Sequence, residues 1–493
     1  MVEAQTARPG RARSPVAKTA DAGDLEALAK FHARLLKLET DTSGKDTSGK
    51  DMAGQFSGLN VLQIGDSHTA ADHFTGRLRS LLQARFGNGG RGFLAPGAPH
   101  AWYKPHQVMV AQSAGWKTFS SNKTTPDAGH FGLSGFIAEA RTADETITIE
   151  DRSGADTLVV GYIRRPDGGS FNVHVDGQPA GIVETRGPND EHASVTQSLV
   201  PANVAPGTVR RIEIKTVGTG PVSLTDVALT RAKGVRFVNL GFIGAQVSIM
   251  GRWHWPFVRE QLAALDPALI ILAFGTNEGH APVGNIEARY ARQLEERIVA
   301  LKAAAPNASI VVVGTPDANR YPKFCLPLPI QPAAPAEPAI SAPGTEAAPA
   351  PLAASPPSPP SPAIGPAKAK SKIAKRQPPP PPEPPADAVC LPLDRFERAA
   401  YEQMLADKDR RLCRWHTLPA IPVVRTVQRE VAARTGALFF DWFEMFEGEC
   451  GADRWYGRGL AQKDRVHFKQ AGYWLAADKL HARLLAGYTS SKR

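Results

Sequence analysis

The stretch Val61-Leu62-Gln63-Ile64-Gly65-Asp66-Ser67-His68 constrains the fold most, because its periodicity changes within one turn. Val61 to Ile64 is the mostly apolar run of a buried strand, and Gly65-Asp66-Ser67 breaks it. From Ala70 to Phe86, the residues Phe74, Leu78, Leu81, Leu82 and Phe86 recur at helical spacing. A strand that turns tightly into a helix opens an α/β unit. A serine in that turn holds its hydroxyl at the top of the sheet. Its N–H lies near a helix N-terminus, where negative charge is favoured. Ser67 is therefore either a nucleophile or an N-cap, and this stretch alone does not separate the two.

The texture changes further along. Residues 1–53 comprise a polar tail, a helix from Asp24 to Leu38 with one apolar stripe, and a tandem Asp-Thr-Ser-Gly-Lys repeat. The repeat approaches a phosphate-binding loop, but Asp51 replaces the required Ser/Thr and no apolar strand precedes it, so that motif is rejected. Residues 54–99 form the first α/β part and end in a glycine-rich loop, Gly87 to Gly92. Over 100–232, short β-rich runs such as Thr146–Ile149, Thr157–Ile163 and Phe171–Val175 alternate with turns. This pattern predicts an inserted all-β sandwich. Strand–helix alternation resumes over 233–325: strands at Val235–Gly241, Ala268–Phe274 and Ser309–Val313, helices around Val247–Leu265 and Ile286–Ala304. The expected fold class is α/β: a three-layer domain with a mainly parallel sheet, interrupted by the sandwich.

Residues 326–388 hold 21 of the chain's 42 prolines and a Lys-Arg cluster at Lys368–Arg376, a composition that cannot build a core. Residues 389–493 return to α/β texture, with helices at Leu418–Ala433 and Lys469–Leu485 and a strand at Ala437–Asp441. Cys325 and Cys390 flank the proline-rich segment, so a bridge between them is expected to tie its ends together. Cys413, His416 and Cys450 lack a fourth ligand at zinc spacing, so structural roles are favoured and no metal is expected.

Composition narrows the function classes. The net charge of +10 favours anionic surroundings such as a cell-wall polymer or a membrane face. No dense basic and aromatic stripe suggests nucleic acid, and no apolar run is long enough to span a bilayer. The N-terminal stretch lacks the apolar core of an export signal. The readings are a cytosolic chain or one whose signal is removed or unrecorded.

Several polar clusters share one position, the C-terminal ends of strands, where ligands bind in open α/β sheets. Ser67 follows one strand, Gly241–Gly244 another, and Gly275-Thr276-Asn277 a third, while Asp464 and His467 precede the last helix. Acyl transfer needs a nucleophile, a base, a carboxylate that orients the base, and donors for the oxyanion. Ser67, His467 and Asp464 fit the first three roles. The N–H groups of Ser67 and Gly244 and the Asn277 amide fit the fourth, and no cofactor is required. Each cluster alone reads equally as a cap, a turn or a close-packed glycine. His280 reads as a pocket-lining or a solvent-facing residue.

Gly65-Asp66-Ser67-His68, Gly244, Gly275-x-Asn277 and Asp464-x-x-His467 resemble, in order, the four blocks of the SGNH (GDSL-like) hydrolases. No Gly-x-Ser-x-Gly elbow occurs, unlike the lipase-type α/β-hydrolases. The longer stretch Gly65 to Arg79, with Phe86-Gly-Asn-Gly-Gly-Arg-Gly92, is similar to the periplasmic peptidoglycan O-acetylesterases, which also carry a β-sandwich between the first two blocks. That sandwich resembles family-35 carbohydrate-binding modules in texture. The resemblance implies a serine esterase that removes acetyl from the C6 hydroxyl of N-acetylmuramic acid, outside the cytoplasm. Action on another acetylated polysaccharide, acetyl transfer, and non-catalytic wall binding are the alternatives.

Overall fold

The computed structural model describes residues 22–40, 58–101, 103–123, 131–199, 208–327 and 382–488. The proline-rich segment and the tandem repeat lie mostly or wholly outside the described residues. Five parallel strands form the central sheet, in the spatial order Val235–Gly241, Leu59–Gly65, Leu269–Ala273, Ser309–Val313 and Leu438–Phe440. The first two strands in sequence are exchanged in space. The switch point between Leu59–Gly65 and Leu269–Ala273 therefore opens a crevice at their carboxyl ends.

Both faces of this sheet are covered, which is why its strands read as nearly continuous apolar runs. On one face Val61, Phe237, Ile271 and Val311 pack with Phe31 and Leu35 of the Ala22–Thr40 helix, Leu78 of His73–Phe86, and Leu480 of Gln470–Leu484. On the other, Leu62, Val238, Ile270 and Val312 pack with Val258, Ile298 and Val424 from the helices Trp255–Leu265, Ala291–Ala304 and Ala420–Thr435. The helix expected over Val247–Leu265 is broken. A 3₁₀ turn spans Val247–Arg252, and the α-helix starts at Trp255 with Pro256 in its first turn, where a missing N–H costs nothing.

Ten strands of the β-rich stretch, joined by Gly90–Leu94 from the part before it, form two antiparallel sheets of six and five strands facing each other across a shared core. Leu158, Val160 and Leu224 from one sheet meet Ile147, Ile214 and Phe171 from the other. Phe131, Leu133 and Phe136 from this region enter the same core as Phe242, Val247 and Trp253 of the α/β part. The two parts are thus joined by continuous packing.

Two expectations change. The glycine-rich stretch is not a loop: Gly90–Leu94 is a strand paired antiparallel with Val222–Thr230, and its Arg91 side chain turns inward to Asp72. The disulfides are Cys325–Cys413 and Cys390–Cys450, so Cys325 and Cys390 do not pair. Leu391 N–H donates to the Trp415 carbonyl at 3.0 Å. That pairing runs the returning chain beside the 413–417 segment and gives each end of the proline-rich segment its own later partner. With both sulfurs oxidised, Cys413 and Cys450 offer no thiolate to a metal. Buried His416 bonds instead to the Tyr401 hydroxyl at 2.9 Å and to the Arg414 carbonyl at 3.0 Å.

Candidate active site

Ser67 begins a single helical turn, Ser67–Ala70, just beyond the Leu59–Gly65 strand. The turn fits because residue 65 is glycine: a Cβ there would collide with the Thr69 hydroxyl and the Ala273 carbonyl. Asp66 caps the turn by accepting the His68 N–H at 3.0 Å. Asp464 and His467 arrive from the segment before the Gln470–Leu484 helix, 400 residues away in sequence.

These three side chains form one hydrogen-bonded chain. Ser67 Oγ lies 2.9 Å from His467 Nε2, and His467 Nδ1 lies 2.8 Å from Asp464 Oδ2. The other Asp464 oxygen accepts the N–H groups of Val466 and His467, each at 3.0 Å. Partial burial pushes the Asp464 carboxyl up, but these donors outweigh it and hold it below its usual value. Partial burial pulls His467 down, and the Asp464 hydrogen bond and charge outweigh it, leaving His467 raised. The carboxylate therefore selects the tautomer with Nδ1 protonated and leaves Nε2 free to accept from Ser67.

The expected oxyanion donors follow the carboxyl ends of three adjacent strands, Val235–Gly241, Leu59–Gly65 and Leu269–Ala273. Among the described residues no acceptor takes the N–H of Ser67 or of Gly244. Gly244 has φ +73, and a Cβ there would meet nothing within 4 Å. Glycine is required there by the left-handed backbone rather than by crowding. Asn277 donates one amide hydrogen to the Ala245 carbonyl at 2.8 Å, which leaves its second hydrogen for a ligand. Two further bonds tie these segments together: Gln246 Nε2 to the Asn277 carbonyl at 3.3 Å, and Val247 N–H to Glu278 Oε1 at 2.7 Å. The Gly244 segment and the Asn277 turn are thus locked to each other.

Several further residues support the site without a role of their own having been assigned from the sequence. Asp66 and Glu278 are buried, and desolvation raises both carboxyls to about 7, each shift opposed by backbone N–H donors. His68 is buried against the rings of His467, Phe468 and Trp442, with Nδ1 3.0 Å from the Tyr473 hydroxyl. Burial first, and the neighbouring His467 second, hold it well below its ordinary pKa, so it stays neutral under the triad. Asp72 sits at φ +51 between Arg79 and Arg91, with the Arg79 and Arg91 guanidiniums at 3.1 and 3.0 Å. This buried cluster fixes the start of the His73–Phe86 helix behind the serine turn. His280 is exposed, as its solvent-facing reading has it. Among the described residues no group of three or more metal-ligating side chains occurs, and no helix is long and apolar enough to cross a membrane.

No family model and no curated protein matches the sequence. A solved structure described as "Peptidoglycan O-acetylesterase in action" aligns over 92% of this chain and 94% of its own, at 20% identity and a TM-score of 0.57. Two other structures align in part. A family two carbohydrate esterase from Clostridium thermocellum covers 41% of this chain and 78% of its own, at 12% identity and a TM-score of 0.16. A carbohydrate-binding module of Cellvibrio mixtus lichenase 5A covers 29% of this chain and 98% of its own, at 13% identity and a TM-score of 0.19. The first alignment establishes a shared fold that spans both the parallel-sheet and the antiparallel parts. At 20% identity the likeness is one of fold.

Proposed function

We propose that this chain is a serine carbohydrate esterase that removes O-acetyl groups from a cell-wall polysaccharide, by way of an acetyl-enzyme. The carrying observation is the unbroken chain from Ser67 through His467 to Asp464 at the carboxyl edge of the sheet, where no described acceptor takes the N–H groups of Ser67 and Gly244. Ser67 Oγ attacks the acetyl carbonyl while its proton passes to His467 Nε2. The oxyanion is held by the N–H groups of Ser67 and Gly244 and the second Asn277 hydrogen. His467 then gives the proton to the departing sugar oxygen, leaving an acetyl ester on Ser67 Oγ. Water, deprotonated by His467, attacks this ester, and His467 passes that proton to Ser67 Oγ as acetate leaves. Asp464 orients His467 and stabilises its protonated form throughout.

The fold shared with a peptidoglycan O-acetylesterase supports peptidoglycan as the polymer, with the C6 acetyl of N-acetylmuramic acid as the group removed. The net charge of +10 suits an anionic wall. Two disulfides favour an oxidising, extracytoplasmic compartment. On this reading the antiparallel part is a carbohydrate-binding module packed against the catalytic part.

The test measures acetate released from O-acetylated peptidoglycan and from acetylated xylan and glucan, for the native chain and for Ser67→Ala. Release from peptidoglycan that vanishes in the variant is expected. Equal release by the variant refutes the serine mechanism. Preference for xylan or glucan replaces the substrate, and retention on peptidoglycan without turnover replaces the enzyme with a binding protein.

A further inference from the structure

Between Asp464 and His467 the chain passes through a residue that the acyl-transfer chemistry does not use. Arg465 has φ +50, a left-handed conformation that residues with a Cβ hold only where the surroundings impose it. Its side chain is only 10% exposed, although arginine is rarely buried. The guanidinium carbon lies 4.4 Å from the Trp415 ring centroid and 3.7 Å from that of Tyr456, so the cation is sandwiched between two aromatic faces. Arg465 Nε donates to Asp453 Oδ1 at 3.1 Å and Nη1 donates to the Lys463 carbonyl at 2.7 Å. Its own carbonyl accepts the Asn319 N–H at 3.0 Å.

These partners lead to a covalent anchor. The second Asp453 oxygen accepts the Cys390 N–H at 3.2 Å. Cys390 is bonded to Cys450, three residues before Asp453. Continuous contacts therefore run from a disulfide through Asp453 to Arg465 and into the turn that carries the base. By contrast, the Asp464 side chain is 45% exposed and that of His467 35%, so their own packing fixes them weakly.

We propose that Arg465 is a positioning residue. Clamped between Trp415 and Tyr456 and tied to the disulfide-anchored Asp453, it holds the Asp464–His467 turn at hydrogen-bonding distance from Ser67. The inference rests on the esterase reading for its kinetic test, but not for its spectroscopic one. Its content is geometric: a flat guanidinium fills a slot between two rings and aims Nε at a carboxylate, which a lysine of equal charge cannot do.

The experiment compares Arg465→Lys, Arg465→Gln and Tyr456→Ala with the native full-length chain. Acetate release is followed across pH, together with the His467 ring titration by NMR and the thermal midpoint. His467 faces Asp464 on its own segment, and Asp66 and the neutral His68 across the crevice. Both Arg465 variants are expected to lose kcat about 30-fold or more, with KM within about twofold. In Arg465→Lys, where the charge is kept, the His467 titration should fall, because the Asp464 contact that raises it is loosened. Tyr456→Ala, which removes one face of the clamp, should lose kcat about 3- to 10-fold.

Native kcat and an unmoved titration in Arg465→Lys overturn the proposal, since charge alone would then suffice. A change confined to KM overturns it too. If the Arg465 variants do not fold, Tyr456→Ala decides, and full activity with an unmoved titration refutes the clamp. A native chain that releases no acetate refutes the esterase reading, while the His467 titration still tests the clamp.

Discussion

Asp464→Asn probes the weakest-shielded member of the triad. Its carboxylate contacts His467 Nδ1 at 2.8 Å, but the side chain is 45% exposed, so water screens the pair. Two unit charges about 4 Å apart interact by about 4 kcal/mol at an effective dielectric of 20 and about 1 kcal/mol in bulk water. Half-exposure places Asp464 between these limits, which converts to roughly 5- to 900-fold in the rate of a step that creates an imidazolium. Replacing one carboxylate oxygen by an amide also lets the side chain donate to Nδ1, which favours the wrong histidine tautomer and adds to the loss. A kcat reduction of about 100- to 1,000-fold is expected.

The pH profile carries a sign. His467 is raised by Asp464, and it works only when deprotonated, so native activity climbs with pH through a pKa above the ordinary histidine value. In Asp464→Asn the supporting charge is gone and burial, which pulls the other way, remains. The acid limb of kcat/KM must therefore move to lower pH while the plateau falls. Added salt should weaken the native enzyme more than the variant. The assay is acetate release from pH 5 to 9. A variant within threefold of native with an unmoved acid limb would refute the triad assignment.

Gly244→Ala forces a Cβ onto a backbone at φ +73 at a cost of about 1–2 kcal/mol; a roughly tenfold loss of kcat with KM unchanged is expected in steady-state acetate release, and native kcat would remove Gly244 from the oxyanion site. Asp72→Asn leaves Arg79 and Arg91 buried without their counter-charge and should cost about 3–5 kcal/mol in urea unfolding. Burial opposes the Asp72 charge, but the two guanidiniums keep its folded pKa well below the unfolded value. Its contribution is present above the unfolded pKa and lost only as pH falls through the folded one, so the gap to native should be constant from pH 6 to 9. Reducing the disulfides, which span 88 and 60 residues, should lower the thermal midpoint. Chain entropy sets a ceiling of about 4–5 kcal/mol for each, and the overlap of the two loops makes the sum smaller; an unchanged midpoint with all four thiols free would contradict this.

What the sequence exposes is local. The apolar runs ending at Gly65, Gly241 and Phe274 are legible because a strand buried on both faces has few polar positions, and its end is marked by a turn. The candidates Ser67, Gly244, Asn277, Asp464 and His467 all stand beside such ends. They meet because the Leu59–Gly65 strand lies between Val235–Gly241 and Leu269–Ala273, a neighbourhood that no local period encodes. The same limit explains the misses. Four cysteines admit three pairings, and choosing among them requires knowing that Leu391 runs beside Trp415. Gly90–Leu94 has no strand propensity and is a strand because Val222–Thr230 offers it an edge.

Charged side chains at the core are the hardest to foresee. Arg79 and Arg91 look like surface residues until Asp72 is placed between them, and Arg465 looks like solvent-facing filler between Asp464 and His467. A buried charge is tolerable only where its partner is fixed, so each marks a place where the fold has spent stability on geometry. Both clusters lie next to the triad: Asp72 closes the serine turn, and Arg465 lies within the histidine turn. The two halves of the site, 400 residues apart, are thus each held by a buried ion pair of their own. Loosening the Arg465 cluster should disturb the Ser67–His467 distance before it disturbs the sheet. The Asp72 cluster is itself bonded to the Val235–Gly241 strand, through Arg79 Nε to the Phe237 carbonyl at 3.1 Å and Asn239 Nδ2 to Asp72 Oδ1 at 3.0 Å, so loosening it should disturb both.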